Sequence, residues 1–368
     1  MTNMLQNFSL EVPLCHTSLG VVSMGILVEL FNRGVYPNIF PLGAIDISLF
    51  TALPEGFREW LQLCLNKAQG KFKRGEESVR IFHVQNSHSR IGQHSRLYCP
   101  HECSTLTDIE KNILSNHDRV LVPSNYNKQI FERHGIAATV CPNFFDSANI
   151  HPTKVHKDEN VTVWSFFGKL EKRKNIIPTI RAWDKLYGGK KEHRLHLSVF
   201  NMFLFPNVPP EQKLAAHKAW IENELGFPLK WNVELFNFLS FSDFNQLLNC
   251  TDIDLSGLSG SEGFGLPFHS TRCLGRRGIS LNAHAHLDYA DNQNSVLVQP
   301  NGMEDIKDGV FFSGAGFNVG EKYTFAEDDA MRAMEEALAR PEPSQEAAQA
   351  LKERFSVANT VDILLSND

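Results

Sequence analysis

Short apolar runs alternate with segments of helical periodicity along most of the chain. In its first part the pattern predicts strands at residues 10–14, 79–84 and 119–122 and helices at 21–32 and 125–134. Short buried strands that alternate with helices are typical of a parallel sheet with both faces covered. The first part of the chain therefore has the pattern of an α/β domain.

The alternation restarts after a polar segment, residues 146–160, which contains Pro152 and lacks periodicity and is the best linker candidate. Further strands are predicted at residues 161–167, 195–200, 233–236, 252–255, 278–281 and 295–298. Further helices are predicted at residues 176–186, 241–249 and 328–339. We therefore expect an α/β fold of two Rossmann-like, doubly wound domains facing each other across a cleft. The first spans 1–150 and the second 151–344, and a last helix at about 345–368 packs back on the first.

Composition narrows the class of protein. The chain has 368 residues, 42% of them hydrophobic and 21% charged, and contains no apolar run of the roughly 18 residues that cross a bilayer. Its net charge of -6 argues against a uniformly basic nucleic-acid-binding protein. The odd number of cysteines, seven, and an N-terminus without the pattern of a secretory signal predict a cytoplasmic protein with reduced thiols. The segment 1–7 is short and uncharged, so it does not have the pattern of a basic amphipathic helix that docks on a membrane. We therefore expect no integral membrane association and favour a soluble acceptor.

A glycine-flanked carboxylate is the most informative local feature. Glu262 lies in the sequence Ser-Glu-Gly-Phe-Gly-Leu-Pro, between a predicted strand at 252–255 and a predicted helix at 268–274. Unhindered backbone N–H groups beside a helix N-terminus suit a diphosphate, and a fixed carboxylate suits sugar hydroxyls. A tight turn that needs glycine for its backbone angles explains the same pattern equally well.

A run of cations follows the first strand of the second predicted domain. Lys169, Lys172, Arg173 and Lys174 fall within six residues, at the carboxyl end of a strand and the start of a helix. Such a run can neutralise a diphosphate and stabilise it as a leaving group. The alternative is a solvated basic turn.

Four blocks resemble group 1 (family 4) glycosyltransferases and fall in the order of that family. They are the block from Val120 to Asn143, the Gly168-Lys169 to Lys174-Asn175 element, the block from Asp252 to Pro267, and Asn282 with the segment 288–294. The segment 16–23 also resembles the first glycine loop of that family. Together these blocks cover about residues 10–300.

The resemblance implies a GT-B fold and transfer of a sugar from a nucleotide-diphosphate sugar, with a UDP-sugar as the expected donor. It also implies retention of the anomeric configuration and no required metal or other cofactor. The residues that it assigns to donor binding are Gly20, Gly168, Lys169, Lys174, Glu262, Gly263, Phe264, Gly265 and Leu266. Of these, Glu262, Lys169 and Lys174 are also expected to act in catalysis.

Two positions depart from the family pattern. Where the family has a second glutamate for the nucleotide ribose, this chain has Ser270, which can form a hydrogen bond but not a charged bidentate contact. Lys169 stands where arginine is commoner in the family. Lysine keeps the positive charge but lacks the planar guanidinium group that binds phosphate in a bidentate way. The ribose contact is therefore the least certain part of the expected donor site.

The first domain is expected to supply the acceptor side. His101 and Glu102 follow a predicted strand, and we expect both to face the cleft, with His101 as a catalytic candidate. Glu102 resembles a glutamate of related family members, and His88 and Ser18 lie in two further polar loops. A capping cluster before the predicted helix at 107–115 is the structural alternative for this segment.

Three groups imitate metal sites, namely Asp252-Ile253-Asp254, His284-Ala285-His286 and the Cys99-His101-Cys103 cluster. The aspartates lie in an apolar strand, and neither of the other groups has the spacing of a usual ligand set. We therefore predict no metal site.

The acceptor itself stays open among a saccharide, a protein, a small molecule and DNA. A basic stretch at 67–74 with Arg80, Arg90 and Arg96 could follow a phosphate backbone, which keeps hydroxymethylated phage-type DNA as an alternative. A solvated loop explains the same charges. A GT-B epimerase, a phosphorylase and an inactive glycan-binding protein are the alternatives from other functional classes.

Overall fold

The structure, a computed structural model, describes residues 8–71 and 73–366. The chain divides into two compact units. The first comprises residues 1–149 and 352–368, and the second comprises residues 150–351. Each unit contains a six-stranded sheet among its described residues.

The first unit has a parallel sheet in the order β2-β1-β3-β4-β5-β6. Its strands are β1 Phe8–Val12, β2 Asn38–Pro41, β3 Glu77–Ile81, β4 His94–Tyr98, β5 Arg119–Val122 and β6 Ala138–Val140. The helices between them are α1 Ser18–Asn32, α2 Phe57–Lys71, α3 Asp108–Leu114 and α4 Asn125–Arg133.

The second unit repeats this architecture with the parallel order β12-β11-β10-β7-β8-β9. Its strands are β7 Thr162–Phe167, β8 His193–Ser198, β9 Val233–Leu235, β10 Ile253–Gly257, β11 Arg277–Leu281 and β12 Ser295–Val298, with an antiparallel hairpin of β13 Gly302–Asp305 and β14 Glu321–Thr324. The helices are α5 Ile176–Tyr187, α6 Lys213–Leu225, α7 Phe241–Cys250, α8 Leu266–Cys273, α9 Glu327–Ala339 and α10 Gln345–Arg354. The last helix, α11 Val357–Leu365, belongs to the first unit and packs against α1.

The strand orders place a topological switch point in each sheet. In the second unit the chain starts at β7, builds outward through β8 and β9, and returns on the other side of β7 with β10. In the first unit the order reverses between β1 and β3. Ligands of open α/β sheets bind beyond the carboxyl ends of the strands at such points.

A continuous apolar core stabilises the second sheet. Trp164 and Phe166 of β7 and Trp183 of α5 are fully buried with the neighbouring strands. Burying a large apolar side chain contributes about 1.5–3 kcal/mol, so the core holds the strand ends that carry the polar loops rigidly.

The predicted α/β fold class is confirmed, and several predicted boundaries are wrong. The helix predicted from Val21 begins at Ser18, so Leu19 and Gly20 are helical and not part of a loop. The strand predicted over 79–84 ends at Ile81, and a short 3-10 turn follows at Val84–Asn86. The prediction missed α2, α6 and the β13–β14 hairpin. Helix α2 has apolar residues at helical spacing, namely Phe57, Trp60, Leu61, Cys64 and Ala68, whereas α6 and the exposed strand β13 show little amphipathic alternation.

Within residues 8–71 and 73–366, no helix is long and apolar enough to cross a bilayer. Residues 1–7 and Phe72, which entered the sequence interpretation, lie outside the described residues.

Candidate functional site

Two loops of the second unit meet at its switch point. The loop 168–175 leaves the carboxyl end of β7, and the loop 258–265 leaves the carboxyl end of β10, its neighbour in the sheet. The sheet therefore brings together the basic run and the glycine-flanked carboxylate, which are far apart in the sequence.

Glu262 is the centre of a buried ion cluster. Its side chain, in a residue only 5% exposed, forms ion pairs with Lys174 through Oε1 and with Arg173 through Oε2, the latter at 3.1 Å. Arg173 Nη1 also donates to the backbone oxygen of Ser261 at 2.7 Å. Two cations thus hold the carboxylate from one side and fix the loop in which it lies.

A second carboxylate extends the cluster toward solvent. Glu171 is buried and lies 2.8 Å from Arg173 Nη2 and 3.1 Å from Lys169 Nζ. The side chain of Lys169 is 40% exposed, and its ammonium lies 5.0 Å from the ring centroid of Phe311. Three cations and two carboxylates leave this cluster with a net positive charge, with Lys169 at its solvent edge.

Both carboxylates are ionised. Burial raises the pKa of Glu262, but the charges of Lys174 and Arg173 outweigh it, so the pKa lies well below its ordinary value. Burial likewise raises the pKa of Glu171, and Arg173, Lys169 and Lys174 together lower it below the ordinary value. The cluster is therefore fully charged at neutral pH, and each buried charge has an opposite partner.

Gly168 gives Lys174 its space. Its φ is 148°, and a Cβ at this position would lie 3.4 Å from Cε and 3.6 Å from Nζ of Lys174. A side chain here would press on the lysine that pairs with Glu262, so glycine is required both by the backbone angle and by the close approach.

The β13–β14 hairpin braces both loops from behind. Asn175 has a left-handed φ of 56° and donates to the backbone oxygens of Leu258 and Tyr323, each at 3.0 Å. Lys322 is buried against Asn175 Oδ1 and pairs with Glu304 at 2.6 Å. The sequence interpretation missed this brace, because the exposed strand β13 has no apolar alternation.

The glycine loop ends at the N-terminus of α8. Gly265 caps the helix with φ 85° and ψ 59°, and α8 begins at Leu266, two residues before its predicted start. The first N–H groups of a helix have no partner within it and carry its positive dipole end, which attracts anions. Gly263, Phe264, Gly265 and Leu266, which the family resemblance assigns to donor binding, form the turn from Glu262 into α8.

Ser270 lies one turn further along α8. It is buried, and its hydroxyl donates to the backbone oxygen of Leu266 at 2.9 Å. The hydroxyl hydrogen of Ser270 is therefore already used, and the hydroxyl can only accept a hydrogen bond from a ligand.

A third loop, after β11, completes the cluster with His284 and His286. His284 Nε2 lies 2.7 Å from the backbone oxygen of Ser259, and the ring of His286 lies 4.5 Å from that of His284. Burial lowers the pKa of His284 to about 4 and that of His286 well below its ordinary value, so both rings are neutral.

The aspartates of the Asp-x-Asp sequence are occupied by protein contacts. Asp252 pairs with Lys157 and accepts a hydrogen bond from the backbone N–H of Val163 at 2.9 Å. Asp254 is buried and accepts hydrogen bonds from Ser256 and Thr271. The described part of the chain contains no group of three or more His, Cys, Asp or Glu side chains placed to hold a metal ion.

In the first unit, the loop after β1 and the start of α1 lie at the β1–β3 switch point. Ser18 is exposed on the first turn of α1, and Gly20 is buried behind it. A Cβ on Gly20 would lie 2.0 Å from the backbone oxygen of Cys15, so the chain can pass this closely only over a glycine.

The other acceptor-side residues have different environments. His101 is 3% exposed, its Nε2 lies 2.8 Å from the backbone oxygen of Thr105, and its own backbone is bound by Asn127. The ring is therefore buried in contact with its own segment and is not exposed to a substrate, contrary to the expectation that it faces a cleft. Glu102 is half-buried, and His88 is exposed. Thr107, one of the segment's polar residues, caps α3 in a capping box with Glu110.

The three arginines named beside the basic stretch at 67–74 are engaged within the first unit. Arg80 is buried against Glu11, Arg90 pairs with Asp118 at 2.9 Å, and Arg96 pairs with Glu77 at 2.9 Å. Since each arginine already faces a carboxylate, these residues do not form a free track for a phosphate backbone.

Comparison with solved structures shows the same fold over nearly the whole chain. A glycosyltransferase from Rickettsia africae ESF-5 superposes with a TM-score of 0.63 at 14% identity, covering 99% of both chains. HepE from Anabaena, solved in complex with UDP, gives 0.63 at 14% identity over 98% of both chains. A sucrose-phosphate synthase from Thermosynechococcus elongatus gives 0.60 at 12% identity over 98% of this chain and 95% of that chain.

No protein-family model and no curated protein sequence matches the chain. At these low identities the structural likeness establishes the GT-B fold, as the sequence predicted.

Proposed function

We propose that this protein is a retaining glycosyltransferase of the family 4 type. It transfers a sugar from a nucleotide-diphosphate sugar, with a UDP-sugar as the expected donor, to an acceptor hydroxyl and requires no metal ion. The observation that carries the proposal is the buried carboxylate of Glu262, held by Lys174 and Arg173 beside the N-terminus of α8 at a switch point. HepE, which shares the fold, has been solved with UDP and with UDP-glucose.

The charges of the cluster suit a diphosphate ester. Glu262 would accept hydrogen bonds from hydroxyls of the donor sugar, because its ionised oxygens are acceptors only. Lys169 and Lys174 would face the diphosphate, and the partly exposed position of Lys169 at the edge of the cluster supports this role. The net positive charge of the cluster would then be balanced by the bound donor.

Catalysis would come from stabilisation of the leaving diphosphate. As the bond between sugar and phosphate breaks, negative charge grows on the phosphate oxygens, next to the two lysines and the N–H groups at the start of α8. A preorganised donor of this kind contributes typically about 3–4 kcal/mol to lowering the barrier. The acceptor hydroxyl adds from the face that the phosphate leaves, and a phosphate oxygen takes its proton, so no separate base is assigned.

The first unit would carry the acceptor side. Ser18 and Gly20 lie at its switch point, and His88 and Glu102 follow strands β3 and β4. We assign His101 to shaping the segment that carries Glu102, because its ring is buried and bonded to Thr105. The acceptor stays open among a saccharide, a protein, a small molecule and DNA, and the pairing of Arg80, Arg90 and Arg96 with carboxylates weighs against DNA.

A donor panel tests the proposal. Thermal unfolding is followed with UDP-glucose, UDP-galactose, UDP-N-acetylglucosamine, GDP-mannose and ADP-glucose. A donor at 100 times its Kd adds about 2.7 kcal/mol. That corresponds to a rise in Tm of roughly 5–10 °C for a unit of this size. Failure of the whole panel to raise the Tm would overturn the proposal.

The stabilising donor then separates the enzyme classes. A transferase releases the nucleoside diphosphate in proportion to added acceptor. Release without acceptor would point to an epimerase, and a requirement for inorganic phosphate would point to a phosphorylase.

A further inference from the structure

One tyrosine reaches the glycine loop from the segment that follows β11. Tyr289 is 3% exposed, and its hydroxyl donates to the backbone oxygens of Phe264 and Gly265, at 2.8 Å and 3.1 Å. Burial and the nearby carboxylates raise the pKa of Tyr289 well above its ordinary value, so the hydroxyl keeps the proton that it donates.

These two contacts bear on the direction of two N–H groups, the second together with the 3.0 Å hydrogen bond from the N–H of His269 to the oxygen of Gly265 within α8. A trans peptide is planar, and its N–H points opposite to its C=O. The oxygen of Phe264 shares a peptide with the N–H of Gly265, and the oxygen of Gly265 shares one with the N–H of Leu266. Because both oxygens point inward to Tyr289, both N–H groups point away from the core, where Gly265 and Leu266 are half-exposed.

The position of Gly265 depends on the same segment. A Cβ on Gly265 would lie 2.5 Å from His286 Nε2 and 2.9 Å from the hydroxyl oxygen of Tyr289. His286 is fully buried, its Nδ1 lies 3.2 Å from the backbone oxygen of Gly257, and its Nε2 has no hydrogen-bond partner among the described residues. The loop after β11 therefore forms the floor on which the glycine loop rests.

We propose that Tyr289 is a positioning residue of the diphosphate site. Its hydroxyl turns the N–H groups of Gly265 and Leu266 toward the distal phosphate of a bound nucleoside diphosphate. The inference rests on the proposed function and adds to it a residue that touches no substrate. N–H groups of this kind bind anions at a helix N-terminus, and the strength of each hydrogen bond depends on the direction of the N–H group.

The test compares two tyrosines that each lose only a hydroxyl. Tyr289→Phe removes the contacts to the loop. Tyr187→Phe is the matched control, because Tyr187 is also buried in the second unit and its hydroxyl has no hydrogen-bond partner in the described chain. Calorimetric titration with UDP, ADP and GDP, and with the corresponding monophosphates, gives the affinity ratio of diphosphate to monophosphate for each protein.

We expect Tyr289→Phe to lower that ratio about tenfold, as loss of one well-placed hydrogen bond allows, and Tyr187→Phe to keep the wild-type ratio. An unchanged ratio for Tyr289→Phe, whether both affinities fall together or neither does, overturns the role of Tyr289 and leaves the proposed function standing. A wild-type protein that binds none of the three diphosphates overturns the proposed function instead.

If Tyr289→Phe does not fold, amide resonances of the wild-type protein test whether the N–H groups of Gly265 and Leu266 contact the distal phosphate. The ¹⁵N–¹H signals of Gly265 and Leu266 are expected to shift with the diphosphate and to move much less with the monophosphate. Equal response to both ligands contradicts the proposal.

Discussion

Lys174 and Glu262 form a buried ion pair across 88 positions of the sequence. The two residues meet because β7 and β10 are neighbours in the second sheet, and each residue lies in the loop beyond its strand. Taking two charges out of water is costly, and a buried pair repays that cost only with good geometry and further partners. Arg173 supplies such a partner, and the pair faces the N-terminus of a helix, which is an arrangement suited to binding a ligand.

Removing the charge of Glu262 should damage both stability and activity. Glu262→Gln leaves Lys174 without its carboxylate and Arg173 with Glu171 alone, and breaking a buried pair typically costs about 3–5 kcal/mol. We expect the free energy of unfolding to fall by about that amount and turnover of the donor to fall at least about 100-fold. Urea unfolding and a nucleotide-release assay measure the two effects.

Glu110→Gln is the control for that substitution, since Glu110 is a buried glutamate of the first unit. It should lower stability and leave the affinity for UDP unchanged. Full activity of Glu262→Gln would contradict the sugar-binding role of Glu262.

Lys169 should matter for the donor far more than for folding. Its side chain is partly exposed at the edge of the cluster, so its ion pair with Glu171 contributes little to stability. We expect Lys169→Ala to weaken UDP binding about 10- to 100-fold while the Tm changes little. Lys172→Ala, an exposed lysine of the same loop, should bind UDP like the wild type. Equal losses for both substitutions would indicate only a general electrostatic attraction.

Acid should destabilise the second unit through His284. Burial lowers the pKa of this ring from 6.5 to about 4, so between these values the unfolded chain binds a proton that the folded chain does not. Stability from the neutral ring is therefore complete above pH 6.5 and falls as the pH drops toward 4, by about 3 kcal/mol in all.

The comparison is with His284→Asn, because asparagine tolerates the left-handed φ of 48° at this position. Urea unfolding at several pH values should show the wild type losing stability faster than the variant between pH 6.5 and 4. Parallel pH curves for the two proteins would show that His284 is not held neutral.

Two glycines in helices should respond to alanine in opposite directions. Gly20→Ala brings Cβ into the backbone oxygen of Cys15, and such overpacking costs typically about 1–3 kcal/mol. Gly70, in α2, has no heavy atom within 4 Å of an added Cβ, so Gly70→Ala should stabilise by about 0.5–1 kcal/mol. Urea midpoints of the two variants test this. A stable Gly20→Ala would show that the turn after β1 is not as close as described.

Chelation of metal ions should leave transfer activity unchanged. Asp252 and Asp254 resemble a metal motif, but their oxygens are used by Lys157, Val163, Ser256 and Thr271. We expect less than about a twofold change in rate with EDTA, since the leaving diphosphate is stabilised by lysines and N–H groups. Loss of activity that Mg²⁺ or Mn²⁺ restores would contradict this.

The strands that position the site were predictable because their burial is complete. Continuous apolar runs define buried parallel strands, and the run at residues 119–122 matches β5 to the residue. The start of α1 was less predictable, because Gly20 indicated a loop, whereas it lies in the first turn of α1 close to the backbone oxygen of Cys15.

The components of the site could be read from the sequence, but their pairing could not. Lys174 and Glu262 each stood out in a local pattern, whereas Glu171 and Tyr289 lay within the matched blocks without a role of their own. Their roles depend on which strands are neighbours in the sheet, and single-sequence periodicity does not contain that information. For the same reason His101, in a polar segment, was taken for an exposed group although its ring is buried.

The central claim is that a nucleoside diphosphate binds at the switch point of the second unit. A crystal structure of the protein with UDP tests it most directly. The account predicts the diphosphate within hydrogen-bond distance of Lys169 Nζ and of the N–H groups of Gly265 and Leu266. UDP bound anywhere else, with the ion cluster of Glu262 untouched, would contradict it.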